Sequence, residues 1–255
     1  NATKQGAYDF LAKPFTPQEL KAVVRKAVRH LILQREARRL AEEKRQVRFQ
    51  FISVLAHELK APIAAIEGYL KLIRDRVAGD ELTTYDRMLD RSMLRLDGMR
   101  KLIFDLLDLT RIESGRKHRD LELVDLRETA AQGIEGIAAE ADRRDITIHL
   151  DAPDTLSMTA DRGELEIILN NLFTNAIKYN RDGGRVDVTL EADDERVTVT
   201  VTDTGIGMSE KDLGRLFQEF SRIKNERTND ILGSGLGLSI LKKLAQLNGG
   251  DVTVQ

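Results

Sequence analysis

FISVLAHELKAPIAAIEGYLKLIRDRV, residues 51–77, places an apolar side chain every three or four residues. Ile52, Leu55, Leu59, Ile63, Ile66, Leu70, Ile73 and Val77 form a heptad-like seam, which marks a helix that packs lengthwise against other helices. The spacing runs back through Ala41, Leu31, Ala27 and Val24 to Leu20 with no Gly or Pro to stop it. Thr16 is the expected cap, Pro17 takes the first helical position where its missing N–H costs nothing, and Glu19 closes a capping box. The spacing predicts one helix over about 17–77, interrupted only at Pro62, which removes a helical hydrogen bond and is expected to bend it. Beyond a turn at Gly79-Asp80, a second stripe of Tyr85, Leu89, Leu96, Met99, Ile103 and Leu106 ends near Glu113-Ser114-Gly115. Two long helices with a short connection make an antiparallel hairpin. One hairpin buries only one face, so pairing with a second copy into a four-helix bundle is expected.

The pattern changes after Gly115. Asp125, with Glu128 three residues on, caps a helix; Ile146, Ile148 and Leu150 alternate as a strand; Asp161, with Glu164 three residues on, opens a helix to about Tyr179. Val186, Val188, Leu190 and Val197, Val199, Val201 flank Asp193-Asp194-Glu195 as a β-hairpin. A glycine-punctuated stretch over 203–237 precedes a last helix, and Asp251–Gln255 is expected to begin another strand. Strands and helices in this order give a two-layer α/β arrangement. Tyr8–Leu11 reads as a short strand ahead of Lys13-Pro14-Phe15.

The 255 residues balance 40 Lys+Arg against 42 Asp+Glu, but residues 13–50 hold eleven Lys/Arg against four Glu, ahead of an acidic body. Such a stretch could bind nucleic acid or an anionic membrane. Its charges interleave with apolar residues at helical spacing and read more plainly as the solvated faces of a long helix, so no nucleic-acid partner is expected. Cysteine is absent, which excludes disulfides, thiolate metal sites and cysteine nucleophiles and fits a reducing compartment. No apolar run approaches membrane-spanning length, no secretory signal is evident, and a cytoplasmic location is expected.

His57 lies two residues after Leu55 and two before Leu59, off the seam and toward solvent. Glu58 beside it can accept a proton from one imidazole nitrogen and leave the other as a nucleophile, although an ordinary exposed His–Glu pair would look the same. Asn171, Asn175 and Lys178 fall on one side of their helix, where amide oxygens suit a Mg²⁺ that keeps its waters and a lysine suits phosphate. Asparagines on a helix are also ordinary surface residues. Asp203-Thr204-Gly205-Ile206-Gly207 follows a strand, and Gly233-Ser234-Gly235-Leu236-Gly237-Leu238 opens a helix. Glycines permit close backbone approach, and free N–H groups at a helix start attract phosphates, though either stretch alone could be a plain turn or cap. Neither is a GxxxxGK[ST] loop, so an ordinary P-loop is excluded, and the second does not match a Rossmann unit.

Taken in order, FISVLAHELKAP (51–62), NNLFTNAIKYN (170–180), DTGIGM (203–208), LFQEF (216–220) and GSGLGL (233–238) resemble the H, N, G1, F and G2 boxes of bacterial two-component sensor histidine kinases, over about residues 47–255. The resemblance implies a dimerisation and histidine phosphotransfer domain at 51–115 and a catalytic ATP-binding domain of the Bergerat type at 120–255, joined to a linker or coiled-coil helix at 17–50. It implies ATP and Mg²⁺ as cofactors, His57 as phosphoacceptor, Glu58 as its acidic partner, and a response regulator receiver domain as the partner that takes the phosphoryl group. Asn171 and Asn175 resemble the Mg²⁺-binding pair, Asn175 the more securely placed, with Lys178 a phosphate contact and Tyr179 near adenine. Asp203 looks like the carboxylate that receives the adenine amino group, with Gly205 and Gly207 letting the base lie close. Gly233, Gly235, Leu236 and Gly237 resemble the phosphate-approaching loop. Residues 208–232 would be a lid anchored by Phe217 and Phe220. The pattern is broken at Ala61, where the family's Thr or Asn is linked to dephosphorylation of the partner; weak phosphatase activity is expected. GAYDFLAKPFTPQEL (6–20) resembles the end of a receiver domain, with Lys13 as its phosphoryl-contacting lysine and Pro14 after a cis bond, which makes 1–16 a C-terminal remnant; a mere turn before the linker helix is the alternative. From the residues alone, a nucleotide-binding scaffold without transfer and a clamp ATPase of the same nucleotide fold are the rivals.

Overall fold

The computed structural model describes residues 13–114, 119–223, 228 and 233–255. The strand expected at Tyr8–Leu11, and residues 6–12 of the receiver-like stretch, lie outside them. Helix α1 runs Pro17–Arg74 and continues through Pro62. It begins as the capping box requires: the Thr16 N–H and hydroxyl donate to Glu19 Oε2 at 2.7 and 2.9 Å, and the Glu19 N–H donates to Thr16 Oγ1 at 3.3 Å. The backbone and hydroxyl donors of Thr16 hold the Glu19 carboxyl below its ordinary range. The helix stops at Arg74, short of the expected Val77, because Arg76 and Gly79 take positive φ of 51° and 57° in the turn that follows. Tyr85 clamps that turn, its hydroxyl accepting from the Ala78 N–H at 3.1 Å and donating to the Gly79 carbonyl at 3.0 Å. Helix α2, Leu82–Glu113, completes the hairpin.

The chain divides between Ala61 and Pro62 into two compact units. In the second, β1 (Leu121–Asp125) pairs antiparallel with β3 (Ser157–Asp161). A three-stranded mixed sheet sets β2 (Thr147–Asp151) parallel to β4 (Arg185–Ala192), itself antiparallel to β5 (Val197–Asp203). Alternation on β4 buries Val186, Val188 and Leu190. They meet the apolar faces of α3 (Leu126–Arg143) and α4 (Arg162–Lys178), where Leu126, Leu169, Phe173 and Ile177 are almost fully enclosed. Both helices start on the expected aspartates: Asp125 accepts the N–H groups of Arg127 and Glu128, and Asp161 that of Glu164. After a single turn, α5 (Glu210–Leu213), helix α6 (Gly237–Leu247) buries Ile240, Leu241 and Leu244 and packs on α4 and α2.

The result is a helical hairpin followed by an α/β sandwich. Asp251–Gln255 corrects the expectation of a strand: it pairs with no described strand, and alternating apolar residues without a neighbouring ladder do not make one. The β1–β3 pair and α5 had not been anticipated. Among the described residues no helix is long and apolar enough to cross a membrane.

Candidate functional site

His57 is exposed on α1 and Glu58 beside it is half-buried. Adjacent helical residues point about 100° apart, and no hydrogen bond engages either side chain among the described residues. The structure therefore does not pair them.

The remaining candidates meet around α4. Asn171 is buried and its Nδ2 donates to the Ile167 carbonyl at 2.9 Å, which leaves Oδ1 facing the start of α6. Gly237 lies directly against that oxygen, so a β-carbon there would collide with it. One turn on, Asn175 has no side-chain hydrogen bond among the described residues and its amide oxygen is available. Gly233 packs against Lys178, where an added β-carbon would come within 2.6 Å of Nζ. Gly205 packs on the Tyr179 carbonyl and within 2.6 Å of Asp203 Oδ1 in the same sense. The Gly205 N–H donates to that carboxylate at 2.8 Å, and the Ile206 N–H donates to the Tyr179 carbonyl at 3.0 Å. Gly207 turns at φ 63°. Gly235, at φ 70°, rests on the backbone of Phe220, itself at φ 57°. Leu236 is fully buried, and Phe217 stacks with Lys242 Nζ 4.8 Å from its ring centre. Both phenylalanines are half-buried, and eight of the 25 residues of the expected 208–232 lid, 224–227 and 229–232, lie outside the described residues.

Charge at this site is unusual. Burial first, then the cations Lys101 and Arg222, pull the Lys178 ammonium down to about 8, against the opposing pull of Glu140 and Asp105. Its Nζ also lies 5.5 Å from the Tyr179 ring centre. Burial raises the Tyr179 phenol. Two amide oxygens, a poised lysine, and glycines at positions where a β-carbon would collide with Asn171 and Lys178 make a cradle suited to a phosphorylated ligand and an oxygen-loving cation. Among the described residues no cluster of three His, Cys, Asp or Glu could hold a metal, so a cation here would rely on amide oxygens, water and phosphate, as Mg²⁺ tolerates.

Two family models match the chain: the His Kinase A (phospho-acceptor) domain over residues 47–115, and the histidine kinase-, DNA gyrase B-, and HSP90-like ATPase over residues 160–255. The chain belongs to the histidine kinases. It is 32% identical over 224 residues to the histidine protein kinase DivJ of Caulobacter vibrioides, covering 86% of this chain and 37% of that protein. It is also 32% identical over 213 residues to the phosphate regulon sensor protein PhoR of Pseudomonas aeruginosa, covering 84% of this chain and 48% of that one. The chain thus spans less than half the length of either relative. Among solved structures, full-length ShkA in complex with AMPPNP aligns over 64% of this chain and 34% of its own, with 29% identity and a TM-score of 0.55. The histidine kinase AdeS of Acinetobacter baumannii, 24% identical, shares the fold with a TM-score of 0.60 over 74% of this chain and 86% of its own.

Three arrangements in this histidine kinase were not read from the sequence. Arg144, just past α3, donates to the carbonyls of Ile177 and Asn180 at 2.6 Å each and to that of Lys178 at 3.3 Å, capping the end of α4 that carries Lys178 and Tyr179. Asn180, within the quoted 170–180 stretch, accepts from the Arg181 N–H and the Thr204 hydroxyl and donates to the Arg185 carbonyl, tying α4 to the turn after β5. Asp105 on α2 accepts a hydrogen bond from the Ser234 hydroxyl at 2.7 Å. Asn180 could have been found from its motif; the other two join residues too far apart for any local pattern to signal.

Proposed function

We propose that this chain uses ATP and Mg²⁺ to phosphorylate His57 and passes the phosphoryl group to an aspartate on the receiver domain of a response regulator, in the cytoplasm. The observation that carries the reading is the close packing of the glycine stretches around α4: Gly233 on the Lys178 side chain, Gly237 on the Asn171 side chain, and Gly205 on the Tyr179 carbonyl and the Asp203 carboxylate. Asn171 and Asn175 would hold the cation and Lys178 a phosphate oxygen, while Asp203 would receive the adenine amino group beside Tyr179. Gly207 and Gly235 supply the turns, and Phe217 and Phe220 brace the segment between. Bound Mg²⁺ would neutralise charge on the phosphates.

One ring nitrogen of His57 attacks the γ-phosphorus. An N–P bond forms as the bond from that phosphorus to the β,γ-bridging oxygen breaks, its electron pair leaving with ADP. Glu58 takes the proton from the other nitrogen after a rotamer change, since the two side chains are not hydrogen-bonded at rest. A carboxylate oxygen of the regulator's aspartate then attacks the same phosphorus and the N–P bond breaks. Positioning and charge account for most of the acceleration. A relative in fold, the histidine kinase ThkA, is 23% identical and was solved in complex with the response regulator protein TrrA; its TM-score is 0.60.

The same reading makes the hairpin a homodimer. Along the expected seams Ile52 is 51% exposed, Leu70 50%, and Leu89 and Leu96 47% each in the single chain. A second copy covering them would form the four-helix bundle.

Incubation with γ-labelled ATP and Mg²⁺ tests the proposal on the native chain, His57→Ala and Asn175→Ala. Label that is acid-labile and base-stable, present in the native chain and lost in both variants, is expected. Binding of ATP without any label would transfer the case to a nucleotide-binding scaffold.

A further inference from the structure

A carboxyl group already occupies one end of the cradle, beside the glycine loop. Asp105 projects from α2 and is 9% exposed. Its Oδ2 accepts the Ser234 hydroxyl at 2.7 Å, and Ser234 Oγ in turn accepts the Leu236 N–H at 3.2 Å, at the threshold of α6. The same carboxylate acts electrostatically on Lys178, the side chain against which Gly233 packs. A hydroxyl and an ammonium, with a loop amide behind the hydroxyl, are the donors a phosphate oxygen would use. Burial raises the Asp105 carboxyl, against the hydrogen bond from Ser234 and the nearby charges of Lys101 and Lys178; Asp108 adds to the rise. The carboxylate is thus held where charge is costly.

We propose that Asp105 is a built-in competitor for the terminal phosphates of the nucleotide. In the nucleotide-free chain it docks the glycine loop on α2, and a polyphosphate displaces it, freeing the loop and the start of α6. This rests on the ATP reading above. Two anions cannot share Ser234 and Lys178 without repelling each other, so the competition grows with the number of phosphates. Lys243, farther along α6, bonds Glu113 near the end of α2 and Glu219, a second tie that involves none of the phosphate-facing residues. Displacement of Asp105 therefore loosens one end of the α2–α6 contact and leaves the other engaged.

Calorimetric titration of the full chain with adenosine, ADP and ATP, in the native form and in Asp105→Asn and Asp105→Ala, is the test. Asp105→Asn removes the charge while keeping the shape and an acceptor, so it reports even if Asp105→Ala folds poorly. The expected result is a gain of about fivefold or more in ATP affinity, the low end of ordinary site coupling, with a smaller gain for ADP and none for adenosine. Unchanged ATP affinity in Asp105→Asn would overturn the proposal, as would an equal gain for adenosine, which reports general loosening. A native chain that binds none of the three would fail the ATP reading itself, and the competitor with it.

Discussion

At Lys178, burial and the neighbouring cations act together against the side chain's own charge. With its ammonium brought down to about 8 by burial and by Lys101 and Arg222, it is charged below that value and loses its proton as pH rises through it. ATP affinity should therefore be highest below about pH 8 and fall above it. Stability carries the opposite sign: between about 8 and the ordinary lysine range the unfolded chain binds a proton that the folded chain does not, so this residue's penalty on folding shrinks as pH rises. Affinity titrations on either side of pH 8 should show the step in the native chain and not in Lys178→Met, which should bind ATP about tenfold more weakly or worse for want of a charge-assisted contact. Gly237→Ala offers a steric counterpart. Its β-carbon would meet Asn171 Oδ1, and since that side chain is tied to Ile167 the loop must give way. Loss of ATP binding with little change in helical circular dichroism is expected.

Among the elements, the helix starts carry clear local signals. Thr16, Asp125 and Asp161 were readable as caps because the residues they bond lie two or three positions on. Asp161 does more than its pattern indicates, since its Oδ2 also accepts the Asp120 N–H at 3.1 Å and so fixes the strand entering β1. Asp161→Ala should cost about 1 to 2 kcal/mol, visible as a lower urea midpoint with an unchanged slope. The β1–β3 pair was not legible. Each strand has five residues, and Leu121 and Leu123 are exposed, so the alternation that marks β4 and β5 has no continuous buried face to report. Arg144 is equally silent in sequence, a basic residue after a helix whose partners lie over thirty positions away. The dimer proposed from the hairpin seam can be tested through the exposure of that seam in one chain. Leu96→Asp should convert a dimer to a monomer in sedimentation without unfolding the α/β sandwich, whose core does not include that residue.

At the scale of the whole molecule, we propose that Ala61 limits removal of phosphate from the partner. It follows His57 by one helical turn and is exposed, and its methyl group can neither donate nor accept a hydrogen bond to a water. The native chain should dephosphorylate a cognate phosphorylated regulator slowly, and Ala61→Thr should raise that rate while leaving His57 labelling in place. Rapid dephosphorylation by the native chain would overturn the reading.

The stretch that leads from the hairpin to the sandwich carries Arg119, whose guanidinium grips both oxygens of Glu164, 0% exposed, at 3.2 and 3.1 Å through Nε. Its other nitrogens reach the Leu247 carbonyl and Asn248 Oδ1 at the end of α6, and Asn248 donates back to Glu164. This staple draws the lower edge of the sandwich as a foldable object. A fragment beginning at Ala160, where the ATPase match starts, or at Leu121, where the first strand starts, would enclose the Glu164 carboxylate without that guanidinium. Breaking a buried pair in this way costs about 3 to 5 kcal/mol, a large share of the stability a small domain has. Limited proteolysis should accordingly release a stable piece when the cut falls before Arg119 and a rapidly degraded one when it falls after.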